Sequence, residues 1–383
     1  MIYLDNSSTT KPYAEVMNTF TKASIDYFGN PSSLHNQGSK SEQLIREARR
    51  SIAKQLSIFP QEIVFTSGGS EGNNLAIKGA AFTRQDRGKH LITTAIEHPS
   101  VLETFQYLES LGFTVTYLPV NREGLVSVQS VMDAITEETI LVSIMHVNHE
   151  TGAVQPIEAI GQKLKDIEKI RFHVDHVQGF LKVPLNFHTA GIDLCTISGH
   201  KIHSVKGSGF LFVRDTVTLV PLIHGGGQEF GVRSGTENVP AIAALTKAIR
   251  LSLMKRDEQL QHVQTLKTFL MEQLRQRMGM HLNTPNEPSA PHIVNVSIDG
   301  TKPEVLIQAL SKQSIYVSSK SACSSKQKSA SAVLYEQFQD LTRASTALRM
   351  SLSYETTRSE IVTFLEALDE MVAEVRTIKE VKL

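Results

Sequence analysis

Seven short runs rich in apolar and β-branched residues recur between residues 62 and 213, and helical stretches or turns separate them. This alternation constrains the fold more than any other feature. The runs are EIVFTS, HLITTAI, TVTYLP, ILVSIMHV, RFHVDHV, DLCTIS and GFLFV. They are close to continuously apolar, as strands covered on both faces are. Strands of that kind, joined by helical crossovers, predict an α/β protein whose large domain holds a mainly parallel seven-stranded sheet. Ahead of the strands, SEQLIREARRSIAKQL places Leu44, Ile45, Ala48, Ile52 and Leu56 on one helical face.

From about Ile249 the pattern changes. The stretch RLSLMKRDEQLQHVQTLKTFLMEQLRQRM reads as one long, polar-faced helix leading to a smaller α+β unit. In that unit HIVNVSI and QSIYVSS read as strands, and SEIVTFLEALDEMVAEV reads as an amphipathic C-terminal helix. The expected division is a large domain over residues 14–250 and a small one formed by 1–13 and 251–383. No internal repeat is visible.

Charge narrows the function. Lys+Arg and Asp+Glu number 39 each, so no long-range positive field gathers nucleic acid or anionic lipid, and a small neutral or zwitterionic ligand is expected. No apolar run approaches the roughly 20 residues that cross a bilayer, and MIYLDNSSTT lacks the parts of a secretory signal. The expectation is a cytoplasmic chain without a membrane partner. Only Cys195 and Cys323 are present, too few for a disulfide framework or a cysteine-based metal site. The 14 histidines are scattered, and no ligand-pair spacing such as H-E-x-x-H occurs, so no metal is expected.

Lys201, in SGHKIHSVKG, stands at the end of the strand-like DLCTIS. A lysine there is either an ordinary surface residue or an amine held for chemistry, since it becomes a nucleophile only where its surroundings depress its pKa. Asp175 ends another apolar strand, RFHVD, where an unpaired carboxylate is costly and calls for a cation. Pyridoxal 5'-phosphate satisfies both residues: the lysine holds its aldehyde, and the acid keeps its pyridine nitrogen protonated. The phosphate needs a cradle. EIVFTSGGSEGNNLAIKGAA runs from strand through a Gly-rich turn into a helix, so amide groups and the helix dipole converge near Gly69 and Ser70. The plainer reading is a turn with Ser70 as helix cap.

Gly68-Gly69-Ser70-Glu71-Gly72 also matches G-x-S-x-G, and HGGG occurs at His224 to Gly227, so a hydrolase is an alternative. In α/β-hydrolases, however, that oxyanion loop precedes the nucleophile. No G-x-G-x-x-G follows the first strand, which disfavours a nicotinamide cofactor. His98, in AIEHPSV, is either structural or placed to stack on a planar ring.

The whole chain resembles the pyridoxal-phosphate-dependent cysteine desulfurases of the NifS/IscS kind, in the class V aminotransferase group of fold type I. The resemblance rests on YLDNSSTT, FGNPSSLH, FTSGGSEGNNLAIKG, EHPSV, ILVSIMHVNHETGAVQPI, HVDHVQ, SGHKIHSVKGSGFLFV, GGGQEFGVRSGTENV, SACSS and LRMSLS, in family order. It implies that Lys201 carries the cofactor, Asp175 partners its pyridine nitrogen, Gln178 lies beside its phenolic oxygen and His98 stacks on its ring. It further implies that Gly69, Ser70, Ser198 and His200 hold the phosphate, joined by Thr236 from a second subunit of a homodimer. Asn148 and Arg349 would grip the substrate carboxylate, the guanidinium through two parallel hydrogen bonds.

The segment from Ser318 to Ala332 consists, apart from Gln327, of small and cationic residues around Cys323, and reads as a mobile loop. The resemblance makes Cys323 the thiol that attacks the sulfur of L-cysteine, releases alanine and carries a persulfide to an acceptor protein, with Lys320, Lys326 and Lys328 favouring its thiolate. Cys195 reads as a core filler. The chain departs from the common pattern at NHET, where relatives carry Asn-Asn-Glu, so His149 alters the pocket wall; SSKSACSS and SLSYET replace glycine-containing versions. The expected function is a cysteine desulfurase serving iron-sulfur assembly or tRNA or cofactor thiolation. The alternatives are a selenocysteine lyase or aminotransferase, a Ser70 hydrolase, and a non-enzymatic scaffold.

Overall fold

A computed structural model describes residues 1–320 and 330–380. The chain opens with a two-residue strand, β1 (Ile2–Tyr3). Then come β2 (Ile63–Thr66), β3 (His90–Thr94), β4 (Thr114–Leu118), β5 (Thr139–Met145), β6 (Arg171–Asp175), β7 (Leu194–Ser198) and β8 (Gly209–Val213). They coincide with the seven apolar runs and form one sheet in the order β2-β8-β7-β6-β5-β3-β4. Strands β3 to β7 run parallel, whereas β8 is antiparallel to both of its neighbours.

Period-2 side-chain alternation sends each strand into two cores. On one face Phe65, Ile92, Ile144, Ile197, Phe210 and Phe212 pack with Ile45, Ala48 and Ile52 of helix Asn36–Leu56 and with Ile242 and Ile249 of helix Val239–Met254. On the other, Val64, Leu91, Leu194 and Leu211 meet Leu75 and Ile77 of helix Gly69–Arg84 and Val101 and Phe105 of helix Pro99–Ser110. Each fully buried Leu, Ile or Phe stabilises by about 1.5–3 kcal/mol. Edge strand β4 is the exception, with all but Leu118 at least partly exposed.

The single long helix expected after Ile249 is two helices, Val239–Met254 and Arg256–Arg275, broken at Lys255 with φ −125° and ψ 20°. The two serve different cores, which accounts for the break. Ile242, Leu245 and Ile249 pack on the large sheet, whereas Val263, Leu266, Leu270 and Leu274 pack on a second core.

That second core surrounds β9 (Met280–Leu282), β10 (Ile293–Ile298), β11 (Ile315–Tyr316) and β12 (Ala347–Ser351). Strands β12, β10 and β9 form an antiparallel sheet in that order, while β11 pairs in parallel with β1. QSIYVSS thus contributes only two strand residues, and β12 lies in LRMS, a stretch not expected to be a strand. Helix Arg358–Glu380 covers this core with Ile361, Phe364 and Leu368, and Leu4 from the start of the chain joins it. Among the described residues no helix is long and apolar enough to cross a membrane.

Candidate active site

Parallel strands leave their carboxyl ends open for ligands. Here the residues at the ends of β5, β6 and β7, Met145, Asp175 and Ser198, line one cavity of about 240 Å³. Gly69, Ser70, His98, Gln178, His200, Lys201 and Arg349 line it too, so most of the expected site residues come together.

Asp175 is 7% exposed. Its Oδ1 accepts from the Val177 amide at 3.0 Å and its Oδ2 from Asn73 Nδ2 at 2.8 Å. Among the described residues no lysine, arginine or histidine forms an ion pair with it. A buried carboxylate held by neutral donors suits a ligand that brings its own positive charge. Asn73 was missed by the sequence reading. It is 1% exposed and also donates to Ser100 Oγ at 2.9 Å, fastening Asp175 to the turn that carries His98.

His98 caps helix Pro99–Ser110: its Nδ1 accepts from the Ser100 amide at 3.1 Å. A neutral ring in this position carries its proton on Nε2. Burial lowers its pKa, outweighing the opposite pull of Asp175. Glu97, also unforeseen, accepts from Thr94 Oγ1 at 2.7 Å and from the Met145 amide at 2.9 Å, joining the ends of β3 and β5. Burial pushes its carboxyl up to about 8.

The turn into helix Gly69–Arg84 needs glycine twice. Gly68 has φ +146°, and a Cβ on Gly72 would stand 2.7 Å from Thr196 Cγ2 of β7. The helix start therefore lies against the end of β7, where Ser198 Oγ is buried without a partner among the described residues. Helix amides, Ser198 and His200 together make a donor set that suits a phosphate. His200 Nδ1 lies 3.2 Å from Thr9 Oγ1, and burial, helped by Lys201, lowers its pKa to about 3. Among the described residues no histidine hydrogen-bonds to Ser70, so the serine lacks the base a hydrolase requires.

Lys201 ends the short turn Gly199–Lys201 after β7. Its Nζ donates to the carbonyls of Ser8, at 2.9 Å, and of Ser7. Gln178 Nε2 donates to the same Ser7 carbonyl at 2.9 Å. Arg349, on β12, is 1% exposed; it donates to the His149 carbonyl at 2.6 Å, Ser318 Oγ at 2.8 Å, Ser8 Oγ at 2.9 Å and Asp5 Oδ1 at 3.2 Å.

Two expected residues lie elsewhere. Asn148 is not brought to the cavity, because its side chain closes the turn after β5. Its Oδ1 accepts from the amides of Glu150 and Thr151, both at 2.9 Å, and its Nδ2 donates to the Ile96 carbonyl at 3.2 Å. The neighbouring His149 faces the cavity instead, edge-on to His98 with ring centroids 5.3 Å apart. Thr236 is exposed in a separate depression with Ser67, Gly207 and Arg233. Cys195 is fully buried in β7, and burial raises its thiol pKa. Cys323, Lys326 and Lys328 lie outside the described residues. The ends of the mobile loop expected from Ser318 to Ala332 are instead built into the fold: Ser318, Ser319 and Lys320 are buried, and Ser331 caps helix Ala332–Phe338.

The sequence and the fold that carry this strand-end cavity are shared with known proteins. The chain belongs to the family Aminotransferase class-V, which matches residues 2–364. It is 41% identical over 373 residues to the NifS/IcsS protein homolog of Lactobacillus delbrueckii subsp. bulgaricus, covering 97% of each chain. Against the cysteine desulfurase IscS of Dictyoglomus turgidum it is 39% identical over 385 residues, covering 100% of this chain and 97% of the relative. A solved NifS-like protein superimposes with a TM-score of 0.91 at 36% identity, covering 97% of this chain and 99% of that one.

Proposed function

We propose that the chain is a pyridoxal 5'-phosphate-dependent cysteine desulfurase that converts L-cysteine to L-alanine and passes the sulfur to Cys323. The observation that carries this reading is Asp175, a buried carboxylate that forms no ion pair among the described residues, in the cavity that Lys201 also lines. When bound, the cofactor supplies an electron sink for the amino acid. The residues suited to hold it are Lys201 for the aldehyde carbon, Asp175 for the pyridine nitrogen and Gln178 for the phenolic oxygen. Gly69, Ser70, Ser198 and His200 suit the phosphate, with Thr236 of the partner subunit in a homodimer, and His98 suits the ring face.

Arg349 binds the substrate carboxylate and orients the amino acid. Its guanidinium is held in one position by Asp5, Ser8, Ser318 and the His149 carbonyl, so little ordering is needed on binding. His98, kept neutral by burial with its proton on Nε2, can donate a hydrogen bond from that atom over the ring face. The Cys323 thiolate attacks the substrate sulfur, a sulfur–sulfur bond forms as the carbon–sulfur bond breaks, and a proton completes the alanine methyl group. L-cysteine and the Cys323 thiol thereby become L-alanine and a Cys323 persulfide, from which an acceptor protein of iron-sulfur assembly or thiolation draws sulfur.

Incubation with pyridoxal 5'-phosphate is expected to give a visible-edge absorption band that Lys201→Ala abolishes. Cys323→Ala is expected to keep the band and lose sulfide release from cysteine in the presence of a thiol reductant. A colourless wild-type protein, or undiminished release by Cys323→Ala, would overturn the reading.

A further inference from the structure

A guanidinium carries five N–H donors, one on Nε and two on each terminal nitrogen. The donors of Arg349 are unevenly engaged. Nη1 donates to the His149 carbonyl at 2.6 Å, and Nε is buried without a partner among the described residues. Nη2 instead meets three acceptors with its two hydrogens: Ser318 Oγ at 2.8 Å, Ser8 Oγ at 2.9 Å and Asp5 Oδ1 at 3.2 Å. This imbalance governs how a carboxylate can bind. A carboxylate takes two parallel hydrogen bonds from a guanidinium either across both terminal nitrogens or along the edge formed by Nε and Nη2. Both forks need a hydrogen of Nη2, so one of its three present acceptors has to withdraw.

The three acceptors are not held alike. Ser8 and Asp5 brace one another, because the Ser8 hydroxyl donates to Asp5 Oδ1 at 2.7 Å, and Asp5 also forms the ion pair with Arg349. Withdrawing either oxygen breaks two interactions. The Ser318 hydroxyl has only the bond from Arg349 among the described residues. Its backbone is fixed independently of its side chain: the Ser318 amide donates to the Arg349 carbonyl at 3.1 Å, and the Arg349 amide donates to the Ser318 carbonyl at 2.6 Å. Rotation about one side-chain bond therefore withdraws Ser318 Oγ and leaves the chain where it is.

We propose that Ser318 is a positioning residue whose hydroxyl stands in for the amino-acid carboxylate: it occupies the Nη2 donor of Arg349 in the empty site and is displaced when the carboxylate arrives. In the empty site it satisfies a donor of a guanidinium that is 1% exposed. In the filled site its displacement is a cost set against binding. L-cysteine and L-alanine carry the same carboxylate, so the hydroxyl competes with both. Weaker binding of the ground states raises KM and hastens release of the product without touching interactions made only in the transition state.

This inference rests on reading Arg349 as the carboxylate ligand, and its test is binding rather than turnover. The cofactor-loaded protein is titrated calorimetrically with L-alanine and with L-alaninamide, which lacks the carboxylate. Ser318→Ala is expected to bind L-alanine about three- to tenfold more tightly than the wild type, the range of one net hydrogen bond, and L-alaninamide with unchanged affinity. Ser318→Gly removes the same oxygen and is expected to behave alike, whereas Ser318→Thr keeps it and is expected to stay near the wild type. Ser8→Ala is expected to give no gain, since Asp5 then loses its donor and turns its charge on the arriving carboxylate. Unchanged or weaker L-alanine binding in Ser318→Ala and Ser318→Gly, an equal gain for L-alaninamide, or a like gain in Ser8→Ala would overturn the proposal. Failure of the underlying reading would appear instead as Arg349→Gln binding L-alanine as tightly as the wild type.

Discussion

The guanidinium of Arg349 donates to the backbone carbonyl of His149 at 2.6 Å, joining β12 of the second core to the turn after β5 of the large sheet. Both residues face the same cavity, so that cavity is closed by parts of the chain 200 residues apart.

Arg349→Lys tests that link. A lysine presents three donors from one point and cannot span four separated acceptors. The variant is expected to keep the absorbing cofactor while KM for L-cysteine rises at least about tenfold, the cost of about 1.4 kcal/mol of lost carboxylate recognition. Steady-state kinetics beside a cofactor titration measure it; an unaltered KM would show that Arg349 is purely structural.

Asn73→Ala removes one of the two donors to Asp175. Depriving a buried carboxylate of a hydrogen bond costs about 1–3 kcal/mol. Stability of the cofactor-free protein is expected to fall by that amount in urea unfolding. Cofactor release, followed by dialysis, is expected to quicken because Asp175 and the Ser100 turn are no longer fastened together.

Stability should depend on pH in a predictable sense. Burial holds His146 at about 4 and both His173 and His200 at about 3, below the unfolded value of about 6.5. Their contribution is complete above pH 6.5 and is lost as pH falls toward the folded values, at up to about 1.4 kcal/mol per unit for each group. Glu97 acts oppositely. With its pKa raised to about 8, its contribution is complete below about 4.5 and declines as pH rises to 8. Between pH 5 and 6.5 the histidines outnumber it, so the urea midpoint is expected to climb. Glu97→Gln is expected to remove a decline between pH 6.5 and 8. A flat or falling midpoint from pH 5 to 6.5 would contradict this assignment.

Arg49 and Glu229 form a buried fork, with nitrogen–oxygen distances of 2.7 and 3.0 Å, and Glu229 also accepts from the Phe65 amide at 2.8 Å. Breaking one side leaves an uncompensated charge. Arg49→Met is expected to cost about 3 kcal/mol or more, and the double substitution Arg49→Met, Glu229→Met less than the two single costs combined. Denaturant unfolding of the four proteins measures the coupling.

The sheet was legible because burial on both faces makes each strand an apolar run that needs no partner to be seen. The helix break at Lys255 was not, since both halves share one helical period and only their different cores distinguish them. Strand β12 escaped because its central Arg349 serves the cavity and interrupts the apolar pattern. Within the site, the residues that the motifs single out, Lys201, Asp175, Gln178, Ser198 and His200, line one cavity. The motifs put both Asn148 and His149 at the pocket, and only His149 lies there, because Asn148 closes a tight turn that no motif reveals. Asn73 and Glu97 carry no signal of their own, since each matters only through a contact made far away in sequence.

The opening residues of the chain do more than pair one short strand. Ser7 and Ser8 offer the carbonyls that hold the Lys201 amine, and Asp5 braces the Arg349 guanidinium, while Met1 is 84% exposed. An affinity tag ahead of Met1 extends into solvent and leaves this brace intact. A protease that clips past residue 8 strikes the keystone of the pocket, disabling amine and guanidinium in one cut.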